Sequence, residues 1–160
     1  MARMFEVAEL VKVAINDEKT GAAFYTKLSD LVRDAELAKT FATLAEQERG
    51  HQQRFEAMLA EMGDVKPPDL YPEQYLNYVT AMTADRAFPD EDAAVRQAQA
   101  VDDDREAIRM ALRIERDTLV LMNDMRNLVR DKDRAVVDEL IKEEQQHVID
   151  LTDARDRLGT

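Results

Sequence analysis

The sequence predicts an all-α protein: a four-helix bundle of two antiparallel helical hairpins joined by a long crossover. Three observations predict it. Gly and Pro number only four each in 160 residues, while good helix formers such as Ala, Leu, Glu, Arg and Met are abundant. Apolar residues recur on a three-four spacing in four long segments. The breaks between those segments run short, long, short, the signature of two hairpins and one crossover.

The first helix is expected over about 4–32, with Ala8, Val11, Ile15, Ala22, Tyr25 and Val32 on its apolar stripe. The second runs over about 35–62, with Leu37, Phe41, Leu44, Phe55, Met58 and Met62, and Gly63 is its natural stop. The third covers about 104–129 through Ile108, Leu112, Leu119, Met122 and Val129. The fourth covers about 134–158 through Val137, Leu140, Leu151, Ala154 and Leu158. Only a residue or two near Asp34, and Asp131 to Asp133, separate the members of each pair, so the pairs are antiparallel neighbours. The crossover, 64–103, holds all four prolines, Pro67, Pro68, Pro72 and Pro89, with short helices expected near 73–83 and 91–101. It is long enough to traverse the bundle, which makes the second and third helices parallel. Residues 1–160 read as a single domain.

Composition excludes several functions. The formal net charge of −12 repels phosphates, so neither nucleic acid nor an anionic membrane is an expected partner. With no Cys there are no disulfides, thiolate metal sites or Cys nucleophiles. Met1 to Ala14 has no long apolar run and carries Arg3, Glu6, Glu9 and Lys12, so it reads as neither a signal peptide nor a membrane span. A cytoplasmic location is expected.

The informative positions are those that interrupt the apolar stripes. The seams run Val11, Ile15, Glu18, Ala22 in the first helix and Leu44, Glu48, His51, Phe55 in the second. They run Ile108, Leu112, Glu115, Leu119 in the third and Leu140, Glu144, His147, Leu151 in the fourth. Every long helix thus carries a carboxylate near the middle of its inner face. Two carry Glu-x-x-His, and these use the only two histidines in the chain. Burying an isolated carboxylate is costly, and four at one level repel one another unless protons or cations neutralise them. Two divalent metal ions cancel four carboxylate charges. The i, i+3 spacing lets a Glu and a His reach one ion, and the whole set is a known pattern for paired-metal sites in helical bundles. A solvated or core-satisfied polar set is the alternative.

An internal repeat supports the assignment. Leu31-Val32-Arg33-Asp34 recurs as Leu128-Val129-Arg130-Asp131, and Glu18 and Glu115 share that offset. With one residue dropped, Glu48 and His51 align with Glu144 and His147.

At these residues the chain resembles the rubrerythrin group of the ferritin-like superfamily. The likeness rests on Glu18-Lys19 followed by Phe24-Tyr25, on Glu48-x-x-His51, on Glu115-Arg116-Asp117 and on Glu144-x-x-His147, and spans nearly the whole chain, including Tyr75 through Phe88. It implies a ferritin-like bundle whose Glu18, Glu48, His51, Glu115, Glu144 and His147 ligate two iron ions, manganese being allowed, bridged by an oxo or hydroxo group or by carboxylate. It implies reduction of hydrogen peroxide or dioxygen as Fe(II) is oxidised, with a part in oxidative stress. Tyr25 is expected behind the ligands, hydrogen-bonding one of them or relaying an electron. Asp17, Asp117, Gln47, Glu143 and Asp150 are candidate partners for the histidines. Two departures from the group matter. No Cys is present for a rubredoxin-type centre, so an external electron donor protein is implied. Thr118 stands where such proteins carry a further Glu, leaving six ligands, nearer the ferritin pattern. The alternatives are therefore a ferroxidase or iron-storage protein, or cargo of an iron-storing shell, and a non-catalytic bundle with a vestigial site. A homodimer is the expected assembly, and the crossover is long enough for two chains to exchange helical hairpins.

Overall fold

The computed structural model describes residues 6–63 and 72–159. Its elements are α1 (Val7–Leu31), α2 (Ala35–Met62), α3 (Glu73–Ala84), α4 (Glu91–Gln99), α5 (Asp104–Leu128) and α6 (Asp131–Leu158). Among the described residues there is no strand. The four long helices form the bundle, and α3 and α4 belong to the crossover. The expected helix at Met4 to Glu6 falls partly outside the described residues, as do Pro67 and Pro68.

Local chemistry sets the boundaries. The Asp34 carboxylate caps α2 by accepting the Leu37 N–H at 2.7 Å, and Asp103 caps α5 by accepting that of Glu106 at 2.8 Å. Gly63, at φ +55°, ends α2 in a conformation that side chains resist. Asp104 joins the two hairpins: its carboxylate accepts the backbone N–H groups of Arg33 and Asp34 at 2.9 and 2.8 Å. α1 begins at Val7, with Glu6 at its cap position, later than the expected start near residue 4, and two other boundaries differ by two residues or more. The fourth long helix starts at Asp131, three residues early, because Asp131 and Asp133 suit the positive end of a helix and Arg130 pairs with Asp133 across the first turn. The crossover's second short helix stops at Gln99, short of Val101.

The interior has three tiers. One apolar cluster joins the start of α1 and the end of α2 (Leu10, Val11, Phe55, Met58) to the end of α5 and the start of α6 (Met122, Met125, Val137, Leu140). The other joins Phe24, Leu28, Phe41 and Leu44 to Ile108, Ala111, Leu112 and Leu151. α2 and α5 therefore run parallel, as the crossover requires. A fully buried Leu or Phe contributes about 1.5–3 kcal/mol relative to an exposed one, and both clusters are rich in them. Ala8, Ile15, Val32, Leu119 and Leu158 are only partly buried, whereas Thr118 is buried in place of Leu119. The middle tier, between the clusters, is polar.

Candidate metal centre

Helical periodicity delivers the middle tier. Glu18 comes from α1, Glu48 and His51 from successive turns of α2, Glu115 from α5, and Glu144 and His147 from successive turns of α6. All six are buried, none more than 4% exposed. They form two overlapping groups, each with ligand-type atoms within 4.8 Å of one another: Glu18, Glu48, His51 and Glu144, and Glu48, Glu115, Glu144 and His147. Glu48 and Glu144 belong to both, the placement a bridging carboxylate needs. Glu144 turns Oε1 to His51 Nδ1 at 2.6 Å and Oε2 to His147 Nδ1 at 3.0 Å. His147 Nδ1 also lies 3.2 Å from Glu48 and 3.5 Å from Glu115, and His51 Nδ1 lies 3.4 Å from Glu18. The imidazole rings are 5.4 Å apart and nearly parallel. Gly21, one turn after Glu18, leaves room for the cluster: a Cβ there would stand 3.4 Å from Glu48 Oε2.

Hydrogen bonding does not satisfy these atoms. Both Glu18 oxygens, Glu48 Oε1, His51 Nδ1 and Glu144 Oε1 are buried without a hydrogen-bond partner, although His51 Nδ1 and Glu144 Oε1 are only 2.6 Å apart. Atoms that are close but not aligned for hydrogen bonding are suited to sharing a cation between them. Native interiors rarely leave so many polar atoms unpaired. Four carboxylates and two imidazoles are also the donor set that iron or manganese accepts. The residues present therefore fit a pair of divalent ions.

Without metal, the tier must hold protons. Burial, reinforced by the charges of neighbouring carboxylates, pushes Glu18 and Glu48 well above the usual carboxylate range and Glu115 up to about 8. Burial opposes the charged form of both histidines, yet hydrogen bonds and charge from the carboxylates outweigh it and raise both. Burial also works against the Glu144 carboxylate, but the His147 hydrogen bond and the close approach of His51 hold it below its usual value. The metal-free centre thus offsets its crowded carboxylates by sharing protons among carboxylates and imidazoles.

Several supporting residues surround it. The Tyr25 hydroxyl donates to Glu115 Oε1, and its ring stacks on Phe41 with centroids 5.8 Å apart. Burial and the Glu115 charge push its pKa well up, so it stays a proton donor. Of the expected histidine partners, Glu143 alone is one: its Oε2 lies 2.9 Å from His51 Nε2, and Arg54 holds the same oxygen at 2.6 Å. Asp17 instead pairs with Arg86 from the crossover, and Asp150 accepts from Gln146. Gln47 Oε1 is buried without a partner, and Asp117 lines a small cleft with Asp17, Thr20, Arg86 and Thr118 beside the centre. The Asp17–Arg86 pair went unseen in the sequence, since nothing local ties residue 17 to residue 86.

Residues 9–154 match the rubrerythrin family. The chain belongs to the rubrerythrin family. Among solved structures, it is similar to a Thermotoga maritima protein described as a candidate ferritin-like diiron-carboxylate protein. The two are 25% identical, with a TM-score of 0.71 and 100% of each chain covered. No curated protein matches the chain. The fold is the ferritin-like bundle the sequence predicts. This rubrerythrin-family chain has no helix among its described residues long and apolar enough to cross a membrane.

Proposed function

We propose that the chain is a non-haem diiron oxidoreductase that reduces hydrogen peroxide, or dioxygen, at a pair of iron ions held by Glu18, Glu48, His51, Glu115, Glu144 and His147. The observation that carries this reading is the pair of overlapping four-residue groups sharing Glu48 and Glu144. A bound ferrous pair would supply two electrons to the oxidant, and a separate donor protein would restore them. The protein's own contributions follow from the geometry. Glu48 and Glu144, which belong to both groups, would tie the two positions together. The apolar clusters above and below exclude water from the tier. Tyr25 keeps a proton on its hydroxyl against Glu115 and holds that carboxylate in one orientation. Thr118, buried one turn beyond Glu115 where a further Glu would complete a seventh ligand, supports a second reading, a ferroxidase of an iron-storing assembly.

One experiment separates these readings. The protein is loaded anaerobically with Fe(II), then mixed with one equivalent of hydrogen peroxide or with dissolved dioxygen, following absorbance, bound iron and particle mass. The oxidoreductase reading expects two iron ions per chain, faster oxidation by peroxide than by dioxygen, and a small oligomer such as a homodimer. Continued uptake of iron beyond two per chain within a large hollow assembly would replace it with the storage reading.

A further inference from the structure

The internal repeat allows the two halves of the centre to be compared atom by atom. Under it Glu143 corresponds to Gln47, and Tyr25 to Met122. The halves therefore share ligand types but not the residues behind them. On one side, His51 Nε2 meets the Glu143 carboxylate, itself held by Arg54. On the other, His147 Nε2 is buried with no hydrogen-bond partner, and so is Gln47 Oε1. For the carboxylates the pattern reverses. Glu115 receives the Tyr25 hydroxyl. Glu18 would be served from Met122, a fully buried thioether with no proton to offer, and both of its oxygens are left without a hydrogen-bond partner.

Both differences act in the same direction. A carboxylate that accepts Nε2–H fixes the tautomer with its lone pair on Nδ1 and makes that nitrogen more basic. A charged acceptor does this more strongly than a neutral amide. A hydroxyl donating to Glu115 draws electron density away from that ligand, while Glu18 keeps its own. Resting on the dimetal reading, we propose that Glu143 is a positioning residue that makes the two metal positions unequal. The first divalent ion enters the position built from Glu18, Glu48, His51 and Glu144. The second enters the position built from Glu48, Glu115, Glu144 and His147.

The test is a zinc titration of the metal-free full chain, following the ring nitrogen–proton NMR signals of the only two histidines. Zinc is diamagnetic and needs no oxidant, so the readout is independent of turnover. In the unaltered protein the first equivalent is expected to move the His51 signals and the second those of His147. Glu143→Gln should weaken the first position by about ten- to a hundredfold, merging the two steps or reversing their order. Glu143→Asp should restore the order, because the charged acceptor returns. Gln47→Glu should tighten the His147 position and also draw the steps together. Simultaneous shifts of both rings in the unaltered protein, His147 moving first, or an order indifferent to Glu143→Gln would overturn the inference. The order in the unaltered protein decides the matter even if a variant fails to fold. Absence of any zinc binding would instead sink the dimetal reading, so the two failures are distinct.

Discussion

At the ends of the helices, carboxylates are supplied with donors. Asp34 accepts from Leu37 N–H and pairs with Arg157, Asp138 pairs with Arg126, and Asp104 receives two backbone N–H groups. These bonds hold Asp34 down at about 2 and lower Asp138 as well. In the middle tier the same functional group lies buried among others of its kind, and Glu18, Glu48 and Glu115 are pushed up. The contrast separates two uses of acidity. Carboxylates at the helix ends close off the backbone and tie elements together, and folding satisfies them. The middle ones are left unsatisfied by folding, and a cation of suitable size removes the deficit.

Removing metal is the sharpest way to break that contrast. With free metal a thousandfold above its dissociation constant, linkage stabilises the folded chain by about 4 kcal/mol. At about 2–4 °C per kcal/mol for a chain of this size, that is on the order of 10 °C in melting temperature. Melts at pH 7 with chelator and with anaerobic ferrous iron should differ accordingly. Superimposable curves would leave the middle tier no different in kind from the ends.

Substitution comes next. Glu115→Ala should abolish most metal retention, because it removes a donor from the centre and leaves the Tyr25 hydroxyl unpaired. Glu106→Ala, on the same helix but with its carboxylate accepting the backbone N–H of Asp102 away from the centre, should leave the metal content unchanged. Elemental analysis of both variants decides, and equal occupancy in Glu115→Ala and the unaltered protein would refute the ligand assignment.

The pH response of the metal-free form sharpens the comparison further. Glu18, Glu48 and Glu115 have raised folded values, so they bind more protons folded than unfolded. Their destabilisation grows as pH climbs past the unfolded carboxylate range toward about 8, the value for Glu115. His51 and His147, also raised, stabilise the fold below their unfolded value and lose that contribution as pH rises through the folded one. Asp34 and Asp138 act oppositely, contributing above their unfolded value and losing it as pH falls toward about 2 for Asp34. Metal-free melting temperature should therefore rise from pH 8 to pH 5 and fall again in stronger acid. A metal-free protein most stable at pH 8 would contradict the assignment of raised carboxylates.

The smallest effect is expected at a helix end. Asp103→Ala removes the cap of α5 and should cost about 1 kcal/mol. The loss should be the same with and without metal, since the cap lies far along the helix from the centre. A loss confined to the metal-bound form would mean that the ends and the middle are coupled.

Much of this arrangement was legible in the sequence, and the reasons are physical. Glu48-x-x-His51 and Glu144-x-x-His147 interrupt apolar stripes, and helical periodicity carries such interruptions inward together. The prolines and short breaks announced the connectivity. What escaped was of two kinds. Helix starts such as Asp131 depend on a charge and a salt bridge that apolar spacing does not register. Pairings such as Asp17 with Arg86, or Glu143 rather than Asp117 with a histidine, depend on which faces the bundle brings together. Glu143 is the same residue type as the exposed Glu139 one turn earlier, and only the rotation of α6 against α2 singles it out.

Each hairpin contributes three of the six donors: Glu18, Glu48 and His51 from one, Glu115, Glu144 and His147 from the other. Neither hairpin alone can assemble either group of four. Residues 63–103 tether the two, which turns a meeting of separate molecules into an intramolecular closure. Within one chain, then, docking of the two hairpins is first-order and indifferent to dilution, as two untethered hairpins would not be. The same covalent link allows each hairpin its own choice of residues behind the ligands, because the two no longer need to be copies of one sequence.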